Sequence, residues 1–358
     1  MFVSALGSIT SKDNRLGLKR AQRVCVVLVD GLGSENLRNA AGHAPFLNAA
    51  LKQQKSINTV FPSTTAAAIT SFGVGATPSE HGVFGYSVFD RESQVVRNLL
   101  TGWSAEFPPE RFQKLPSITS VARQADVKTY TVGPGEYEGS GFTRLNMGEA
   151  QYLPARSFDE RVATTRAILA SKSKSLTYLY FPELDSIAHS SGAGSIEWLN
   201  KIEELDAAIK NLVSDLSPES AVLLTADHGI VDVFREQQVY LDELQVSGLV
   251  AVTGDPRNSF LYFDQGADVA TQRSRLQEQL GEKAIVCSSS DLIEQGWFGQ
   301  NPANEDFLPD LFVISQPGTA IYHREFAKPQ SLRMIGQHGG ISQAELSVPL
   351  LRFGAYAD

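Results

Sequence analysis

No disulfide framework is available to this chain. Its two cysteines, Cys25 and Cys287, lie far apart in sequence, and Cys25 sits inside the apolar run VCVVLV, where a thiol packs as a small hydrophobe. Long hydrophobic runs are missing too: no stretch of about 18 uninterrupted apolar residues occurs, so no segment reads as a bilayer span. The start, MFVSALGSITSKDNRLGLKR, has no basic stretch followed by a long apolar one, which makes the cytoplasm the expected location. Positive charge is also short. With 31 Lys and Arg against 40 Asp and Glu, the formal charge of -9 argues against a nucleic-acid polymer or an anionic membrane surface as partner. Neither an internal repeat nor a low-complexity segment is present.

What the chain does have is enough apolar material for a large core, 42% of 358 residues, suiting one big domain or one domain with an insertion. Short apolar runs alternate with helical patterns, the signature of parallel strands joined by crossover helices. RVCVVLVDG (23–31), SLTYLYFPELD (175–185) and ESAVLLTADHG (219–229) read as strands, each delivering an acidic residue at its carboxyl end, where such sheets bind ligands. The segment 196–216 has apolar residues at helical spacing and is expected to cover the sheet. Residues 1–21 read as an N-terminal extension, 22–239 and 336–358 as the α/β core, 84–150 as a loop excursion around the mouth of the site, and 240–335 as a small inserted α+β subdomain.

Three of the six histidines stand where a metal ion is a natural partner. Asp185 and His189 in DSIAH are four residues apart, on one face of a helix. Asp227 and His228 in ADHG follow a strand directly, and His338 in GQHGG is flanked by glycine that leaves room for close approach. With Asp30 these make three carboxylates and three imidazoles, a donor set for two divalent ions, zinc first and manganese second. Each piece alone also has a plain reading: a helix cap, a tight turn, a surface histidine. The pair Thr64-Thr65, after Phe-Pro and before an Ala-rich run, fits an N-cap as well as a nucleophile at a helix tip, and either threonine suits the second role.

In this order the motifs VDGLG, FPSTTAAAITSFGVGATPSEHGVFGY, YFPELDSIAHSSG, TADHGI and GQHGGISQAELSVPLL resemble the alkaline phosphatase superfamily, and most its type I phosphodiesterase/nucleotide pyrophosphatase family, over roughly residues 22–353. The resemblance implies a central mostly parallel sheet flanked by helices. It implies one ion held by Asp185, His189 and His338, and another by Asp30, Asp227, His228 and the oxygen of Thr65, the position that follows Phe-Pro-x-x. The expected activity is two-metal hydrolysis of a phosphodiester or pyrophosphate bond in a small phosphate ester, through a phospho-threonine intermediate. The alternatives are a phosphomonoesterase or phosphonate hydrolase on the same site, then a non-catalytic binding protein.

Nucleotide-cleaving relatives carry an aromatic residue directly after the nucleophile and an asparagine two positions beyond that. Ala66 and Ala68 stand there in this chain. Phe84, Tyr86 and Trp103 are candidate pocket walls as well as ordinary packing residues, and Arg91, Arg97, Asn98 and Arg257 are candidate phosphate or substrate contacts. No arginine follows the nucleophile closely, which disfavours a dianionic monoester. His81 reads as ordering the turn after the nucleophile helix, His43 and His323 as surface or packing residues, and Asp206 as solvent-facing or capping a neighbour.

Overall fold

The structure, a computed structural model, describes residues 1–299 and 301–357. Its strands are β1 Arg23–Val29, β2 Lys55–Asn58, β3 Lys128–Gly133, β4 Gln151–Pro154, β5 Ser175–Phe181, β6 Ser220–Thr225, β7 Leu249–Asp255, β8 Asn258–Phe263, β9 Ala284–Ser288, β10 Leu311–Ser315 and β11 Ser347–Gly354, with shorter pairs between them. The central seven-stranded sheet has the order β2-β11-β6-β1-β5-β3-β4. Strands β6, β1, β5, β3 and β4 run parallel, while β11 is antiparallel to β6 and β2.

RVCVVLV is buried along its whole length because both faces of the sheet are covered. Its side chains alternate as strand geometry demands. Cys25, Val27 and Val29 join one core with Trp198, Ile202, Leu205, Ile209 and Leu212 of helix Ile196–Val213. Val24, Val26 and Leu28 join the other with Phe2, Ala5 and Ile9 of helix Phe2–Thr10, so the N-terminal segment packs on the sheet. Each large aliphatic side chain buried this way contributes roughly 1.5–3 kcal/mol. Asp206 turns inward, and its carboxylate accepts the Phe46 and Leu47 N–H groups at the start of helix Pro45–Gln53.

The excursion drawn at 84–150 takes in β3, a strand with main-sheet neighbours on both sides. Its six residues, KTYTVG, hold polar threonines and are followed by Pro134, so they lack the long apolar signature of β1. Residues 249–315 build a separate antiparallel sheet of order β7-β8-β10-β9. It is tied back to the main body by Arg257, which is fully buried in a bidentate ion pair with Glu345 (3.1 and 2.7 Å). Arg257 is therefore not a substrate contact. Among the described residues no helix is long and apolar enough to cross a membrane.

Candidate active site

Adjacent positions of β6, β1 and β5 in the sheet bring their carboxyl ends side by side, with Leu28 level with both Tyr180 and Thr225. Asp30 follows β1, Asp227 and His228 follow β6, and helix Glu183–Ser191 after β5 carries Asp185 and His189 one turn apart. The loops after β1 and β6 touch backbone to backbone. A Cβ on Gly229 would lie 2.0 Å from the Ala344 carbonyl oxygen and one on Gly33 would lie 2.6 Å from Gly229 Cα, so only glycine serves at either place.

Two groups of donor atoms converge, Asp185/His189/His338 and Asp30/Asp227/His228, each with its atoms within 4.8 Å of one another. The second group is sealed, with side-chain exposures of 0–5%, while Asp185 and His189 retain 13% and 22% and mark the open side. Each imidazole gives its Nδ1 to a backbone carbonyl: His189 to Gly336 (2.7 Å), His338 to Ser63 (3.1 Å) and His228 to Gly229 (3.3 Å). A carbonyl only accepts, so Nδ1 of each ring bears a hydrogen and Nε2 is left as the nitrogen turned toward the ligand groups. Those Nε2 atoms face carboxylate oxygens: 3.2 Å from His189 to Asp185, 3.4 and 3.5 Å from His228 to Asp30 and Asp227, 3.9 Å from His338 to Asp185.

Nitrogens and carboxylate oxygens apposed in this way share a cation, a proton where no metal is bound and a metal ion where one is. Three carboxylate oxygens in the groups, Asp30 Oδ1, Asp185 Oδ1 and Asp227 Oδ2, are buried without a hydrogen-bond partner, whereas Asp227 Oδ1 takes the Gly31 and His228 N–H groups. Burial first, and then the charges of Asp227 and Asp185, push Asp30 well above the usual carboxylate range, although the Tyr180 hydroxyl donates to it. Burial, reinforced by His228, pushes His338 well below the usual imidazole range. Burial opposes charge on His189 as well, but Asp185 beside it lifts it to about 8. The residues fit two divalent ions on donor chemistry and geometry alike.

The two threonines divide. Thr64 is buried and its Oγ1 accepts the Ala67 N–H as N-cap of helix Thr65–Val74, whereas Thr65 Oγ1 lies 3.1 Å from His228 Nε2.

Against this geometry, the family model described as type I phosphodiesterase/nucleotide pyrophosphatase matches residues 24–341. The chain belongs to that family. Membership brings the hydrolase class with it. No curated protein matches the chain. Among solved structures it is similar to an inactive threonine-to-alanine variant of murine ectonucleotide pyrophosphatase/phosphodiesterase 5 in complex with AMP, at 17% identity, TM-score 0.75, and coverage of 93% of this chain and 88% of that one. The human counterpart gives 17%, 0.73, 93% and 88%. Phosphonoacetate hydrolase from Sinorhizobium meliloti 1021 in complex with phosphonoacetate gives 17%, 0.72, 94% and 91%. At this identity the likeness establishes the alkaline-phosphatase-type fold.

In this family member most of the candidate excursion contacts are committed to other partners. Phe84 is fully buried among Phe260, Phe298 and Phe312, and Trp103 stacks on Phe107 with its indole N–H given to Leu99. Arg91 pairs with Asp310 (2.8 Å), Arg97 with Asp90 (3.4 Å), and Asn98 Oδ1 takes the Leu100 and Thr101 N–H groups. Tyr86 remains partly exposed, and its backbone N–H faces Asp255. His81 orders its turn, accepting the Val83 N–H at Nδ1 and lying 2.8 Å from Ser71 Oγ; His43 pairs with Glu203 at the surface and His323 packs on Phe326.

Sequence reasoning passed over Tyr180, Glu345 and Asp255. Ser342-x-x-Glu345 is a capping-box pattern and signals the second of these. Asp255, in the turn-like TGDPRNS, gave no such signal; burial pushes its carboxyl up to about 7.

Proposed function

We propose that the chain is a two-metal hydrolase that cleaves a phosphodiester or pyrophosphate bond with Thr65 as nucleophile and a phospho-threonine intermediate. The observation that carries this reading is Thr65 Oγ1 lying 3.1 Å from His228 Nε2, at the tip of its helix and beside the sealed donor group. Asp185, His189 and His338 would hold one ion and Asp30, Asp227, His228 and Thr65 the other, zinc suiting the mixed donors best and manganese next. When bound, such ions neutralise charge on the attacking and leaving oxygens and lower the pKa of the threonine hydroxyl.

Thr65 Oγ1 attacks phosphorus in line as the bond to the leaving oxygen breaks, and water then cleaves the Thr65–phosphorus bond. The N–H groups left free in the first turn, with the positive end of the helix dipole, face the phosphate oxygens. The Thr64 cap holds that turn in place.

A diester is favoured over a monoester because Arg91, Arg97 and Arg257 are all committed to carboxylates, which leaves none of them to clamp a dianion. The AMP complex of the murine neighbour supports nucleotide-like diesters or pyrophosphates, although Ala66 and Ala68 offer neither a stacking ring nor an amide. The phosphonoacetate complex supports the second reading, a phosphonate or monoester hydrolase. The test is the initial rate on bis(p-nitrophenyl) phosphate and p-nitrophenyl phosphate, after chelation and after zinc or manganese is restored. Metal-restored cleavage favouring the diester is expected. A monoester preference selects the second reading, and a purified protein without bound metal or activity selects a binding protein.

A further inference from the structure

Asp255 ends β7 and belongs to neither metal-ligand group, yet it reaches the same place. Gly339, next to His338, has φ +111°, and a Cβ built on it would lie 2.9 Å from Asp255 Cβ, so the aspartate packs on the loop that carries His338. Its carboxylate feels the charges of His189 and Asp185, the two donors on the open side, and lies beside the Tyr86 backbone N–H. Its Oδ2 is closed to solvent and has no hydrogen-bond partner. The neighbouring cation, Arg257, is turned away onto Glu345. An orphaned acceptor of this kind costs about 1–3 kcal/mol and calls for a donor. The unpartnered oxygens of Asp30, Asp185 and Asp227 have an answer in the ions; that of Asp255, outside both groups, does not.

We propose that Asp255 is a specificity residue whose carboxylate accepts a hydrogen bond from an N–H or O–H donor, best a primary ammonium, on a group esterified to the phosphorus. The inference rests on the phosphodiesterase reading and narrows its substrate class to diesters with a donor-bearing substituent. Charge favours the same class. A monoester dianion beside Asp255 adds repulsion that Arg91, Arg97 and Arg257, paired elsewhere, do not offset, whereas a monoanionic diester carrying an ammonium supplies both the donor and the compensating charge. The partly exposed Tyr86, on the rim beside Asp255, gives an ammonium an aromatic neighbour.

The experiment compares kcat/KM for the p-nitrophenyl esters of 2-aminoethyl, 2-hydroxyethyl and ethyl phosphate on the metal-loaded enzyme, Asp255→Asn and Asp255→Leu. The wild type is expected to prefer the aminoethyl ester over the ethyl ester by on the order of tenfold or more, with the hydroxyethyl ester between. That ratio should fall toward one in Asp255→Leu and fall partway in Asp255→Asn, mainly through KM. Equal wild-type rates on all three esters overturn the inference while leaving the phosphodiesterase reading intact, and so does a ratio that survives Asp255→Leu. Failure of all three esters to release nitrophenol with metal restored overturns both. Where Asp255→Leu does not fold, Asp255→Asn, which keeps size and polarity, carries the comparison, and an unchanged ratio in it overturns the inference.

Discussion

Replacing Arg257 by methionine tests what joins the antiparallel sheet to the active-site loop. Arg257 and Glu345 are both fully buried; the guanidinium meets the carboxylate twice and gives its Nη1 hydrogens to the Gln316 and Thr319 carbonyls. Glu345 in turn accepts the Gly340 N–H at 2.9 Å and the Ser342 hydroxyl at 2.6 Å, fixing the loop just after His338. Arg257→Met keeps the stem but leaves a carboxylate unpaired at about 3–5 kcal/mol, and strands the Thr319 carbonyl at about 1–3 kcal/mol, while the Gln316 carbonyl keeps the Thr319 N–H. An unfolding entropy of about 2.1 cal/mol/K per residue over 358 residues is about 0.75 kcal/mol/K, so Tm should drop by about 5–11 °C in a chain that melts as one unit. Scanning calorimetry on metal-loaded protein measures this, and elemental analysis should show weaker retention at the His338 group. Adding Glu345→Leu should recover much of the loss, a coupling above about 2 kcal/mol. A single variant melting within about 1 °C of wild type would refute the reasoning.

Thr65→Ala should abolish turnover with fold and metal content nearly unchanged, while Thr64→Ala should retain turnover and cost about 1 kcal/mol as a lost cap; the opposite pattern in steady-state kinetics moves the nucleophile to Thr64. Asp227→Asn and His338→Ala should each deplete a different ion, and elemental analysis showing the same ion lost from both would contradict the two ligand sets. Burial pushes His81 from 6.5 down to about 3, so the unfolded chain takes up its proton first as pH falls. The stability contributed by neutral His81 is therefore complete above about pH 6.5 and drains away toward about pH 3. Urea midpoints should show wild type losing about 2–3 kcal/mol more than His81→Gln between about pH 7 and 4.5. Parallel curves for the two proteins would rule this out.

Where one residue's chemistry decides its place, the sequence was legible. RVCVVLV is too apolar for anything but a buried strand, and an acidic residue just past three such runs points to the carboxyl edge of a parallel sheet. The helix pair Asp185 and His189 follows from spacing alone. Legibility ended where packing decides. Nothing local distinguishes Thr64 from Thr65; the helix start does, by taking one hydroxyl as its cap. Arg91 and Arg257 read as free phosphate or substrate contacts because their carboxylate partners, Asp310 and Glu345, lie distant in sequence. Asp255 was hidden for the same reason, since a turn-like DPR says nothing of the glycine loop that it meets.

The order of the sheet also bears on how the chain is made. β1 is its most apolar strand and emerges early, but both its sheet neighbours, β5 and β6, come from residues 175–225. Thr65 and His228 are separated by 163 positions, and His338 follows later still. During synthesis RVCVVLV therefore waits with both edges open until residues 175–181 are made, the kind of segment that chaperones shield. Ribosome-bound chains stopped before residue 220 should be chaperone-dependent and unable to assemble the site, and activity should appear only in chains that have passed His338.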